Sequence, residues 1–201
     1  NKQFCTTHDL ILWQTMVQLI ALQACLPILK LGLEWYAGWY TIIVYPSGFL
    51  SPQGYLDDAG VRHQHDRRLS GEAWEGGPVI LSWDEVKNAG EINGENLVIH
   101  EFAHKLDMRN GVANGFPPLH DMDAAAWSEN FSQAYEDFSM NYTSPELERI
   151  DPYAAHSPAE FFSVLSELFF ETPDIIVDTY PEIYRQLSLF YRQDPQSGAV
   201  S

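Results

Sequence analysis

Gly94-Glu95-Asn96-Leu97-Val98-Ile99-His100-Glu101-Phe102-Ala103-His104-Lys105-Leu106-Asp107 contains the pattern His-Glu-x-x-His. On a helix, His100 and His104 lie one turn apart on the same face, so two imidazole nitrogens can reach one metal ion. Glu101 sits beside them, where a carboxylate can take a proton from a metal-bound water. Zinc suits this set, because it accepts imidazole and carboxylate ligands and leaves a position open for chemistry. Leu97, Val98, Phe102 and Leu106 give the segment an apolar side to pack on a core. Asn93 is the expected N-cap, Glu95 the first-turn acid and Gly111 the stop. The plain alternative is an amphipathic helix with two surface histidines.

A catalytic zinc needs a third protein ligand. The extended motif with Gly and a further His is absent, since positions 107 and 110 are Asp and Asn. The ligand must come from further along, and the carboxylates there are Glu129, Glu136, Glu146, Glu148, Glu160 and Glu167, with Asp121 and Asp123 as lesser options. Glu160 is the best placed. It opens the apolar helix Ala159-Glu160-Phe161-Phe162-Ser163-Val164-Leu165-Ser166-Glu167-Leu168-Phe169-Phe170, where an acid is costly to bury unless a cation pairs with it. A dipole-favoured helix-start acid is its bland reading. Glu167, two turns on, shares its face and stays open as an alternative ligand or a supporting acid. Asp107, one turn past His104, is expected either to orient a ligand imidazole or to be a solvated helix-end acid.

The motif, followed by Asp151-Pro152-Tyr153-Ala154-Ala155 and Pro158-Ala159-Glu160-Phe161-Phe162, resembles the Mlc titration factor A family. Those are bacterial zinc metallopeptidases related to the catalytic domain of anthrax lethal factor. The similarity runs from about residues 20–25 to residues 190–195. The resemblance implies an α+β, zincin-like metallopeptidase domain, mainly helical with a small sheet and an active-site helix carrying the motif. It implies one zinc ion on His100, His104 and Glu160, with Glu101 as catalytic base. Tyr153, seven residues before the third ligand, is implied to donate to the oxyanion. It further implies an aminopeptidase preference for peptide substrates and, from the family's name, binding of a transcriptional repressor of the Mlc type. A regulator with a mainly structural zinc is the alternative, although a structural site is usually closed by four protein ligands. Ala155-His156-Ser157 departs from the pattern with an extra histidine of unassigned role.

With 201 residues the chain is expected to be one domain, 1–201, long enough for a sizeable core. Its net charge of −17 argues against nucleic acid, whose phosphates it would repel, and disfavours anionic membrane surfaces. Cys5 and Cys25 make neither a metal nor a redox spacing, so a reducing cytoplasm is the default. The first residue is Asn1 rather than Met, which leaves room for missing N-terminal sequence and a removed targeting segment.

Leu10 to Leu29 carries no charge and is long enough to span a membrane, but Gln14, Thr15, Gln18, Gln23 and Pro27 favour a buried helix over Asp9 to about Leu26, capped by Asp9. A membrane-embedded peptidase rests on that run alone. An aromatic turn over Trp35–Tyr40 precedes a strand at Thr41–Tyr45. Leu50 to Trp74 reads as an exposed loop, and His63 and His65 within it as loop residues rather than a second metal site. Pro78–Trp83 is a second strand, expected either as the edge that pairs with a peptide substrate or as an ordinary core strand, with Asp84 capping a short helical turn after it. Beyond a loop at Val112–Met122, helices are expected over Asp123–Asn141, Pro158–Glu171 and Pro181–Arg192, the second capped by Ser157 with Pro158 at its first position.

Overall fold

Thr41-Ile42-Ile43-Val44-Tyr45 alternates buried and half-buried residues, whereas Val79-Ile80-Leu81-Ser82 is buried throughout. A strand with one covered face alternates, and a strand covered on both faces is apolar along its length. These two segments are the middle of the main sheet. The computed structural model describes residues 2–56, 62–88 and 91–197, with the side chains of 50–69 outside the description. Its strands are β1 (Gln3–Thr6), β2 (Thr41–Tyr45), β3 (Phe49–Leu56), β4 (Arg62–Leu69), β5 (Gly71–Ala73) and β6 (Val79–Ser82). Its α-helices are α1 (Gln14–Cys25), α2 (Trp83–Val86), α3 (Leu97–Asp107), α4 (Ala124–Asn141), α5 (Pro158–Glu171), α6 (Pro173–Thr179) and α7 (Pro181–Tyr191). The architecture is α+β, about half helical, with a small mixed sheet.

The main sheet has the order β1-β2-β6-β5. β1, β2 and β6 run parallel, and β5 closes one side antiparallel to β6, with Gly71 opposite Leu81. β3 and β4 form a separate antiparallel pair. α3 packs on β5, β6, α1 and α5. Its Val98, Ile99, Phe102, Ala103 and Leu106 are buried, and Phe102 meets the rings of Tyr36 and Trp39 edge-on at 5.0 and 5.6 Å. Truncating such a residue to alanine typically costs about 3–5 kcal/mol. α5 is buried almost all round, as its apolar sequence requires. Behind it, Trp127 stacks on Phe131 at 4.1 Å and meets Phe162 and Phe190.

β2, α4 and α5 occupy the expected residues, and Ser157 Oγ caps α5 by accepting from Glu160 N at 3.2 Å. Several other expectations need correction. The cap of α3 is Asn96, whose Oδ1 accepts from Ile99 N at 3.1 Å. Asn93 instead accepts from Glu95 N before the helix begins. Gly94, at φ +92°, makes this possible, since a side chain there would meet Leu168 of α5 at 2.8 Å. α1 begins at Gln14, not Asp9, because His8 and Asp9 turn the chain at positive φ. It is not buried all round either: Met16, Ile20, Gln23 and Ala24 form one covered stripe, and Leu22 is 68% exposed. Among the described residues no helix is long and apolar enough to cross a membrane.

The described residues from Leu50 to Trp74 are not a loop but carry most of β3 and all of β4 and β5. His63 and His65 lie on β4, and their expected exposure falls outside the described side chains. β6 is not an edge. It lies between β2 and β5, so the edge beside α3 is β5. Ser82, not Asp84, is the residue before α2. α6 and β1 had no sequence expectation.

Candidate metal centre

Two helices supply the site. α3 presents His100 and His104 on one face, their rings 4.9 Å apart. α5 presents Glu160, Ser163 and Glu167 on the face turned toward them. Glu160 Oε2 lies 3.0 Å from His100 Nε2 and 3.2 Å from His104 Nε2. Ligand atoms of the three residues all lie within 4.8 Å of one another, and no other such group occurs among the described residues. The remaining carboxylates considered from sequence do not join it. Glu129, Glu136, Glu146, Glu148 and Asp121 are exposed elsewhere, and Asp123 caps α4.

The outward nitrogen of each imidazole is braced. Glu167 Oε1 lies 2.7 Å from His100 Nδ1, and the acid's other oxygen accepts from Asn96 N at the start of α3. Ser163 Oγ lies 3.1 Å from His104 Nδ1. If each Nδ1 donates outward, both Nε2 atoms, which face Glu160, are left to bind a metal, the tautomer a metal requires. Two imidazole nitrogens and one carboxylate oxygen converging in this way fit a divalent cation of the zinc class.

Charge follows this geometry. Burial disfavours the imidazolium of His100, but the carboxylates of Glu167 and Glu160 outweigh it and carry its pKa well above the usual value. Burial likewise raises Glu160, but His100 and His104 more than reverse it and hold its carboxyl well below the usual range. A cation bound here would compete with a proton for His100.

Glu101 is 4% exposed, and its Oε2 has no hydrogen-bond partner among the described residues. Burial, opposed by His100 and reinforced by Glu160, Glu167 and Glu72, pushes its pKa up to about 8. β5 lies directly over it. A side chain at Gly71 would collide with Glu101 Oε1 and would meet Leu97 Cδ1 at 2.7 Å. The buried Lys105 fixes this approach, because its Nζ donates to Trp74 O and, at 2.8 Å, to Gly77 O in the turn between β5 and β6.

Tyr153 arrives on a short 3-10 helix, Pro152–His156, whose cap Asp151 accepts from Tyr153 N at 2.8 Å. Its hydroxyl donates to Glu160 Oε1 at 3.2 Å. A cavity of about 730 Å³ opens over all these groups, lined among others by Gly71, Leu97, His100, Glu101, Tyr153 and Glu160. Asp107 does not orient an imidazole by hydrogen bonding. Its Oδ2 accepts from Asn114 N and Gly115 N, both at 2.7 Å. Ser163 and Gly71 were missed from sequence. Ser163 was signalled by its place three residues after Glu160 and four before Glu167 on a mostly apolar helix, and Gly71 by a glycine within a strand, which often marks a close approach.

Comparison with known proteins places the chain among metallopeptidases. The glucose-regulated metallo-peptidase M90 family matches residues 1–192. The chain is 40% identical over 198 residues to "Mlc titration factor A" of Yersinia pestis (strain Pestoides F), covering 97% of this chain and 73% of that protein. The protein of the same name from Yersinia pseudotuberculosis (serotype O:1b, strain IP 31758) is similar to the same extent: 40% identity, 97% and 73% coverage. The chain therefore belongs to the glucose-regulated metallo-peptidase M90 family, alongside the Mlc titration factor A proteins.

Proposed function

We propose that this metallopeptidase is a zinc enzyme hydrolysing peptide bonds as an aminopeptidase, with the ion held by His100 Nε2, His104 Nε2 and the Glu160 carboxylate. The position of Glu160 Oε2 between the two imidazoles carries the reading. When bound, the ion polarises the scissile carbonyl and lowers the pKa of its water to about 7. The rest falls to the chain's own residues. With a cation bound, its charge would favour the ionised form of Glu101, whose Oε2, buried and without a hydrogen-bond partner among the described residues, would accept the proton of the attacking water and pass it to the leaving amine. Tyr153 exchanges its bond to Glu160 for one to the developing oxyanion, and loss of such a donor costs about two to three orders of magnitude in other hydrolases. The outer edge of β5 aligns an extended peptide by backbone pairing. Glu72, Glu85, Glu91 and Glu95 line the cavity, where a substrate's free amine meets opposite charge.

The names of the relatives link those proteins to Mlc, and on that ground we extend the proposal to a regulatory role through a repressor of that type, in the cytoplasm. A regulator whose metal is mainly structural is the second reading, favoured by those names but not by three ligands beside an acid whose Oε2 has no hydrogen-bond partner among the described residues. Metal analysis and hydrolysis of an aminoacyl chromogenic substrate separate the two. Glu160→Ala should lose the metal, and Glu101→Gln should keep it while losing hydrolysis. Equal rates for wild type and Glu101→Gln remove the peptidase assignment for this site. Metal kept in Glu160→Ala but lost in Glu167→Ala reverses the ligand set.

A further inference from the structure

A 3-10 helix repeats every three residues, so side chains at i and i+3 eclipse one another. Tyr153 and His156 are such a pair on Pro152–His156. Their rings lie 5.7 Å apart between centroids and 24° from parallel, and both line the cavity. The backbone beneath them is fixed at both ends. Asp151 caps its start, Ala154 is fully buried, Ala155 O accepts from Tyr135 Oη at 3.2 Å, and Ser157 begins α5.

The phenol ring borders the cavity. It is half-buried, its tip rests on Glu160 Oε1 at 3.2 Å, and its centroid is 6.1 Å from that of His100. To serve the oxyanion the hydroxyl must leave Glu160. The imidazole of His156 lies against the ring, so it can restrain the ring while the tip changes partner. Near-parallel aromatic pairs supply this kind of restraint beyond simple area burial.

We infer that His156 is a positioning residue for Tyr153, acting on the rate through the phenol ring and not by touching substrate. This rests on reading Tyr153 as the oxyanion donor. It gives a role to the one histidine near the site that the family pattern leaves without one.

The test is a double-mutant cycle in the zinc-loaded chain, using an aminoacyl chromogenic substrate and fluorine NMR of protein labelled with fluorotyrosine. His156→Ala should lower kcat about 2- to 10-fold with KM little changed, the range expected for one aromatic pair. His156→Phe should restore most of that loss. In a Tyr153→Phe background, His156→Ala should add nothing. The Tyr153 resonance, assigned by its disappearance in Tyr153→Phe, should move or broaden in His156→Ala. The inference is overturned by the same fold-loss in both backgrounds, by a KM rise in place of the kcat loss, by Phe as poor as Ala, or by an unmoved resonance. If Glu101→Gln stays active, or Tyr153→Phe keeps the wild-type rate, the functional reading has failed instead. The fluorine resonance then decides the ring contact by itself.

Discussion

Glu167 Oε1 stands 2.7 Å from His100 Nδ1, and the same carboxylate accepts the backbone N–H of Asn96. One acid on α5 thus fixes both the orientation of an imidazole on α3 and the first turn of that helix. Glu167→Gln should weaken metal affinity about 10- to 100-fold, the usual effect of removing an outer partner of a ligating histidine. Titration against a competing chelator measures it. Glu160→Ala should lose far more. Unchanged affinity in Glu167→Gln would mean that the imidazole needs no such brace.

Gly71 and Glu101 make the second close approach. A methyl group at Gly71 would collide with the ends of the Glu101 and Leu97 side chains, and β5 cannot easily retreat because it pairs with β6 while Lys105 holds the turn between them. In Gly71→Ala the carboxylate must shift. A displacement near 1 Å at a reacting group can cost on the order of a hundredfold in rate, with a stability loss of about 1–3 kcal/mol from overpacking. Metal content should be retained. Steady-state hydrolysis with metal analysis checks the first part and thermal unfolding the second. Wild-type kinetics would show that Glu101 has freedom the packing denies it.

What could be read in advance follows the range of the interactions. α4 and α5 were legible because caps and apolar spacing are local: Asp123 takes two N–H groups of its own helix, and Ser157 with Pro158 marks the next. Glu160 was legible because it is an acid at the start of an apolar helix. The cap of α3 was not. Asn93 and Asn96 are equally good capping residues, and the choice is made by Glu167 and Glu171, 71 and 77 residues further on, which hold Asn96 N and Gly94 N. The edge strand failed for the same reason. Val79–Ser82 looks like a strand anywhere, but whether it forms an edge depends on the three residues Gly71–Ala73 pairing beside it.

The metal-free protein should weaken as pH rises through the neutral range. Burial lifts the pKa of Glu101 from 4.5 to about 8. Between those values the folded chain holds a proton that the unfolded chain has released. The associated stability is fully present below 4.5 and lost as pH passes 8. The change is on the order of a few kcal/mol. Thermal unfolding of chelated protein should therefore show a falling midpoint over this window. Glu101→Gln removes that part of the slope. Identical slopes in the two proteins would contradict the burial of this carboxylate.

Asp107 illustrates the difference between serving the site and serving the loop beside it. It is fully buried, and its Oδ2 accepts the N–H groups of Asn114 and Gly115. Gly115 O in turn accepts from Trp127 Nε1 at 3.1 Å, and a side chain at Gly115 would meet Pro158 O at 2.5 Å. The loop is thus wedged among α3, α4 and α5 by a carboxylate that makes no hydrogen bond to either imidazole. Asp107→Ala leaves two N–H groups without their acceptor, at about 1–3 kcal/mol each when such groups stay buried. We expect a total loss of about 2–4 kcal/mol in chemical denaturation. Asp107→Asn, which keeps one acceptor oxygen, should lose less. Metal affinity of the folded variants should match wild type, because Glu167 and Ser163 brace the ligands independently. Metal lost from Asp107→Ala at wild-type stability would overturn this assignment and return Asp107 to the role of an imidazole-orienting acid.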